Sequence, residues 1–139
     1  MIRDESFGII PLQKRAGVWH LYLVQHHMSG YWGFPKGHAE ISETPQQTAM
    51  RELKEETHLE VVRFLLQQQL KEEFVFRQNG VKVFKTVYYF VAEVGGEAQL
   101  VYDQEIIYGK WVTLSEAATV MTHASGKALC EMVTKIVRD

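Results

Sequence analysis

With one cysteine, Cys130, among 139 residues, this chain cannot close an intramolecular disulfide, and its stability must come from a packed core. No apolar run approaches the roughly 20 residues that a membrane-spanning helix needs. The opening MIRDESFGII has no long apolar stretch of the kind a secretory signal carries. A reducing, cytoplasmic setting without a membrane partner is therefore expected. An excess of positive charge is also missing: 15 Lys and Arg stand against 17 Asp and Glu, a net charge of −2. No global field recruits nucleic acid, so no extended nucleic-acid surface is expected, and a polyanionic ligand has to be met by local cations or by metal. No internal repeat, low-complexity tract or linker interrupts the chain, and one domain over 1–139 is the expected organisation. What is present is 46% hydrophobic and 23% charged residues, the balance of a soluble globular protein and not of a disordered one.

The most informative stretch is GHAEISETPQQTAMRELKEETHL, from Gly37 to Leu59. Thr44-Pro45-Gln46-Gln47 offers a capping hydroxyl, a proline suited to the first helical position and a glutamine at the third, so a helix is predicted from about Thr44. On that helix Glu52, Glu55 and Glu56 share one face, and Ala49, Met50 and Leu53 form an adjacent apolar face expected to be packed. Three carboxylates held side by side repel one another, and a bound cation accounts for the cluster; oxygen donors of this kind suit Mg²⁺, with Mn²⁺ as a substitute. Arg51, four residues before Glu55, can orient a carboxylate through its fork of donors.

Elsewhere Ser6 to Leu12 and Val18 to Gln25 read as core strands joined by a polar turn. His26 and His27 fall in a following loop, where adjacent positions fit no metal-ligand spacing. Asn79-Gly80 between two β-rich runs predicts a hairpin that pairs Phe74–Gln78 with the strand from Val81 to Val94. Lys82 and Lys85 must point to opposite faces of that strand. Gln99 to Gln104 reads as a loop, and Ile106 to Val112 as a further strand. Thr113-Leu114-Ser115-Glu116 opens a short helix, and a last helix from about Ser125 carries a stripe of Leu129, Met132, Val133, Ile136 and Val137 that packing explains. Cys130 on that helix reads as inert packing.

From Gly37, five residues precede Glu43 and seven more precede Arg51-Glu52-Leu53-Lys54-Glu55-Glu56. This spacing resembles the Nudix box, with His58 where the box has glycine. Within that family the chain is similar to the asymmetrical diadenosine tetraphosphate hydrolases, through Trp32, Pro35-Lys36-Gly37-His38, Lys85-Thr86-Val87, Tyr89, Ala92-Glu93-Val94 and Glu105. The resemblance implies an α/β/α sandwich with a mixed, partly antiparallel sheet, and a Mg²⁺-dependent hydrolase of a small nucleotide substrate. Its reaction would split diadenosine tetraphosphate into ATP and AMP. It places metal on Glu52, Glu55, Glu56, Glu105 and the Gly37 carbonyl. Glu52 is the first choice of base, with Glu56 or Glu105 as alternatives and Arg51 in support. Lys36, His38 and Lys85 would hold the polyphosphate, and Phe76 or Tyr89 would stack on adenine. Other substrates within the family's chemistry are 5′-triphosphorylated or capped RNA ends and diphosphoinositol polyphosphates; the reading outside enzymology is a silent nucleotide-binding module. Local strain is expected at His58, which stands where a glycine favours the left-handed conformation.

Overall fold

The computed structural model describes residues 1–27, 29–99 and 106–137. Strands β1 (Ile2–Arg15) and β2 (Val18–His26) form an antiparallel hairpin, and two very short strands follow, β3 (Trp32–Gly33) and β4 (Lys36–Gly37). Helix α1 (Pro45–Thr57) leads to β5 (Glu60–Phe64), β6 (Leu70–Gln78) and the long β7 (Val81–Gly95). Strand β8 (Ile106–Thr113), α2 (Leu114–Val120) and α3 (Ala124–Ile136) complete the described elements. All eight strands belong to one sheet. β7 lies parallel to β1, from Ile2 opposite Val83 to Leu12 opposite Glu93, while β5 and β6 pair antiparallel along its other edge. The sheet is therefore mixed, and the expected hairpin closes with Gln78 opposite Val81.

The apolar runs of β1, β2 and β7 are nearly continuous because both faces of these strands are covered. Successive side chains point to opposite layers. Ile10, Leu21, Leu23, Val87, Tyr89 and Val91 pack with Ala117, Leu129, Cys130 and Val133 of α2 and α3. Their neighbours Ile9, Tyr22, Val24, Phe90 and Ala92 pack with Ala49 and Leu53 of α1. The result is an α/β/α sandwich. Truncating Leu53, which is fully buried, to alanine would cost about 2–5 kcal/mol through lost transfer energy and the cavity left behind.

Helix α1 starts as its sequence dictates. The Thr44 hydroxyl accepts the Gln47 N–H at 3.2 Å, and the Gln47 side chain accepts the Thr44 N–H at 3.0 Å. It ends at His58, which adopts the left-handed conformation with φ 66° and gives its N–H to the Lys54 carbonyl. The same capping box, between Thr113 and Glu116, opens α2.

Four sequence expectations need correction. Met50 is 41% exposed and not packed, because it is rotated by about 100° from Ala49 toward the side of the helix that carries Lys54. Met132 is 46% exposed for the same kind of reason: Cys130, not Met132, completes the buried stripe of α3 with Leu129 and Val133. His26 belongs to the end of β2 and not to a loop, since it pairs with Ile106 of β8 after a register shift. The fourth concerns the first strand, which begins at Ile2 and not Ser6, drawn out by its parallel pairing with β7. The predicted loop from Gln99 lies, after its first residue, outside the described residues.

Candidate active site

The centre of the site is a close approach between β4 and α1. β4 pairs with β1 at Phe7 and Gly8, and the Pro35 carbonyl accepts the Ile9 N–H at 3.2 Å, which fixes the Pro35-Lys36-Gly37 backbone against the sheet. Glu52 reaches up from α1 to lie directly on Gly37. A Cβ at that position would fall inside the Glu52 carboxylate, with even its farthest atom, Oε1, only 2.5 Å away. Glycine is required there by space and not by backbone dihedral, since Gly37 is not among the positive-φ residues.

Arg51 organises the carboxylates around this contact. Its Nε donates to Glu43 Oε2 at 2.7 Å and its Nη2 to Glu43 Oε1 at 3.0 Å, a two-pronged pairing. Its Nη1 donates to Glu52 Oε1 at 2.8 Å and Glu55 Oε2 at 3.1 Å, and Nη2 also reaches the His38 carbonyl at 2.9 Å. The hydrogen bonds from Arg51, joined by those of the Glu40 N–H and Thr48, pull the Glu43 carboxyl down to about 2. Glu43 is thus an anchor for Arg51.

Helical rotation grades the three glutamates of α1. Glu56 falls on the buried face with Leu53 and is 4% exposed, and its Oε2 accepts the Lys36 N–H at 3.0 Å. Glu52 is next outward, with 13% of its side chain exposed, and Glu55 is outermost at 54%. The expected tight cluster is therefore a ladder from core to solvent. Among the described residues no three acidic, histidine or cysteine side chains close on one point as a cation site. Glu105, expected to complete the set, lies outside the described residues. The donor chemistry still fits a hard divalent cation: a buried carboxylate at Glu56 and a half-buried one at Glu52, beside a glycine backbone that admits close approach.

Beside this centre lies a second group that the parallel β1–β7 pairing creates. Asp4 and Lys85 are register partners, and Ser6 is two residues further on the same face. Lys85 is only 5% exposed, and its Nζ donates to Asp4 Oδ2 and Ser6 Oγ, each at 2.6 Å. His38 Nε2 lies 3.0 Å from Asp4 Oδ1 and 3.5 Å from Lys85 Nζ. Burial acts to raise the Asp4 carboxyl, but Lys85 and His38 outweigh it and hold it below its ordinary value. Lys85 is thus an enclosed cation with a built counter-ion. Lys82, three residues earlier, is exposed on the opposite face, as strand alternation requires.

Lys36 and Lys85 also line a cavity of about 530 Å³ whose remaining wall is largely aromatic. Phe74 stacks on His123 with centroids 5.8 Å apart, and Tyr31 meets the other side of the arrangement edge-on to His123 at 4.4 Å. The Trp32 N–H donates to Thr122 Oγ1 at 2.9 Å and ties β3 to the connection between α2 and α3. Phe76, 38% exposed, faces this cavity. Tyr89 touches it only from below: it is 1% exposed and packs edge-on against Phe34 at 5.4 Å, so it has no open ring face. Of the two rings expected to stack on a base, only Phe76 is placed to do so. Asp4, Ser6, Tyr31, Glu72 and His123 were not singled out from sequence, and they come together only through pairing of distant strands and loops.

The family model described as the NUDIX domain matches residues 2–132. The chain belongs to the Nudix family. It is a pyrophosphohydrolase, and Gly37, Glu43, Arg51, Glu52, Glu55 and Glu56 stand at the spacing of the Nudix box. Nudix hydrolases generally use divalent cations, which agrees with the carboxylates gathered here. The chain is 30% identical over 106 residues to the putative mutator protein MutT4 of Mycobacterium tuberculosis, an alignment covering 76% of this chain and 42% of that protein. It thus spans less than half the length of that relative. It is also 30% identical over 123 residues to the asymmetrical bis(5′-nucleosyl)-tetraphosphatase of Mus musculus, covering 86% of this chain and 81% of that protein. Among solved structures the Caenorhabditis elegans Ap4A hydrolase in a binary complex superposes with a TM-score of 0.72 at 22% identity, covering 97% and 98% of the two chains. That last likeness is one of fold.

Within the Nudix sandwich His26 sits at the margin of the site. Burial, reinforced by the charge of Lys36, pushes its imidazole down to about 4, and its Nε2 has no hydrogen-bond partner among the described residues. No helix of the described residues is long and apolar enough to cross a membrane. Cys130 is buried, and burial raises its thiol to about 12, in keeping with a packing role.

Proposed function

We propose that this Nudix hydrolase cleaves dinucleoside polyphosphates, with diadenosine tetraphosphate yielding ATP and AMP, and that Mg²⁺ is its cofactor. The observation that carries this reading is the continuity of three features through Lys36: the Glu52–Glu56 centre, the enclosed Lys85 cation, and the aromatic cavity. A long polyphosphate bearing a base at its end needs all three, whereas a short diphosphate does not. Glu52, Glu56, Glu55, Glu105 and the Gly37 carbonyl would hold the cation. Bound there, a divalent ion neutralises phosphate charge and lowers the pKa of a bound water. Glu52 accepts the proton of the attacking water as the phosphorus–oxygen bond forms and the anhydride breaks. Arg51, itself fixed by Glu43, keeps the Glu52 carboxylate in position for that step. Lys36, Lys85 and His38 hold the phosphates beyond the cleaved bond, and Phe76 stacks on one base, an interaction of about 1–3 kcal/mol.

Product analysis tests the reading directly. Incubation with diadenosine tetraphosphate and Mg²⁺ should release ATP and AMP in equal amounts, chelation should stop it, and Glu56→Gln should lower kcat by several orders of magnitude in a folded protein. Two ADP as products, turnover that survives chelation, or near-unchanged kcat for Glu56→Gln would refute it. So would a higher kcat/KM for ADP-ribose.

A further inference from the structure

Strand β6 carries Leu70, Glu72, Phe74 and Phe76 at alternate positions, hence on one face. Exposure rises along this row from 8% at Leu70 and at Glu72 to 38% at Phe76. Phe74 and Phe76 are wall residues of the aromatic cavity, and Glu72 lines it at its deep end. A carboxylate more than nine-tenths buried in a row of apolar residues costs stability unless it is fully hydrogen-bonded. An apolar residue would serve packing better, so this glutamate calls for an explanation.

Its partners settle which way its hydrogen bonds run. Ser125 Oγ donates to Glu72 Oε2 at 2.5 Å, and the Tyr89 hydroxyl donates to Oε1 at 3.5 Å. Burial and the nearby Glu72 and Glu56 charges raise the Tyr89 hydroxyl well above its ordinary value, so it keeps its proton and stays a donor. The Ser125 hydrogen is spent on Glu72, the Tyr89 hydroxyl contributes only a long contact to it, and what Glu72 presents to the cavity is lone pairs. An ionised carboxylate has about four acceptor sites; two donors leave room for two more. The deep end of the cavity therefore accepts hydrogen bonds and offers none from these three groups.

We propose that Glu72 determines base specificity in this cavity, and that it selects guanine over adenine. This rests on the reading of the cavity as the nucleoside slot of the proposed hydrolase. Guanine carries two adjacent donors, N1–H and the N2 amine, spaced to meet the two oxygens of one carboxylate. Adenine offers its N6 amine beside a ring nitrogen that is itself an acceptor, and that nitrogen would face an acceptor. Water cannot relieve the mismatch readily at a group so enclosed, and a site built to accept two donors penalises a ligand that brings one. Diadenosine tetraphosphate remains a substrate through the N6 amine; diguanosine tetraphosphate is the better one.

Equilibrium binding of GMP, IMP and AMP, measured by calorimetry without turnover, separates this from the reaction itself. GMP should bind about ten-fold more tightly than AMP, within the roughly 5- to 150-fold span of a good paired contact to a base edge. IMP, which keeps N1–H but lacks the N2 amine, should fall between them. Glu72→Gln, nearly isosteric but presenting one donor and one acceptor, should bring GMP and AMP to within about two-fold of each other. AMP binding as tightly as GMP to the wild-type protein overturns the proposal, and that comparison needs no variant to fold. So does a GMP advantage that persists in folded Glu72→Gln. If GMP keeps its advantage while diadenosine and diguanosine tetraphosphates both remain intact, the substrate reading fails and the role of Glu72 stands.

Discussion

Replacing Gly37 with alanine isolates position from stability. The added Cβ would occupy the space of the Glu52 carboxylate, whose most distant atom would be 2.5 Å away where ordinary contact begins at about 3.4 Å. Glu52 must therefore retreat by on the order of 1 Å, and a misplacement of that size costs about 100-fold in rate. The fold should tolerate the change, because the atoms struck are the far end of a side chain and the Gly37 backbone is not in the left-handed region. The expected result is a kcat for diadenosine tetraphosphate lowered about 100-fold, with a thermal midpoint within a few degrees of wild type. Adding Glu52→Asp to Gly37→Ala shortens the side chain by one methylene and removes the collision, so the double variant should fall no further than Glu52→Asp alone. Steady-state kinetics on the four proteins, with circular dichroism for Tm, decide the matter. Full activity in Gly37→Ala, or losses that simply multiply in the double variant, would refute the argument that Gly37 exists to seat Glu52.

Arg51→Lys keeps the charge but loses the fork that grips Glu43, and the Glu43 carboxyl, held at about 2, should return toward 4.5. Because that carboxyl is depressed in the folded state, wild type should exceed the variant in urea midpoint fully above about pH 4.5, with the advantage fading as the pH falls toward 2; a pH-independent difference would contradict this. His26 gives another acid-sensitive step. Its folded value of about 4 lies below the ordinary 6.5, so the unfolded chain takes up a proton first and stability should fall by at most about 3 kcal/mol between those two values, a slope missing in His26→Gln. Identical pH profiles for the two proteins would remove His26 as its source. Lys85→Met should reduce kcat/KM for diadenosine tetraphosphate about ten-fold, the scale of a charged hydrogen bond, and more than it does for ADP-ribose. Equal losses in a competition assay would dissociate Lys85 from the distal phosphates.

The limits and caps of α1, the Asn79-Gly80 hairpin, the α2 capping box and the carboxylates of the Nudix box were legible in the sequence. Each rests on contacts between residues a few positions apart: Thr44 with Gln47, Gln78 with Val81, Thr113 with Glu116, and Arg51 with Glu43 and Glu55. Local stereochemistry suffices for such features. What sequence left open depends on which distant segments lie side by side. The resemblance names Lys85 as a phosphate-holding residue, but only the parallel pairing of β1 with β7 sets Asp4 and Ser6 beside it and encloses it. Tyr89 reads as a ring for stacking until Phe34 encloses it, and nothing in the sequence singles out Glu72, which the fold brings against Ser125 of α3. Met50 and Met132 show the same limit in reverse, since an apolar residue at a helical spacing is packed only if another element covers that side of the helix. Periodicity identifies the faces a segment offers, and only the tertiary fold decides which face meets water, which meets the core, and which meets the site.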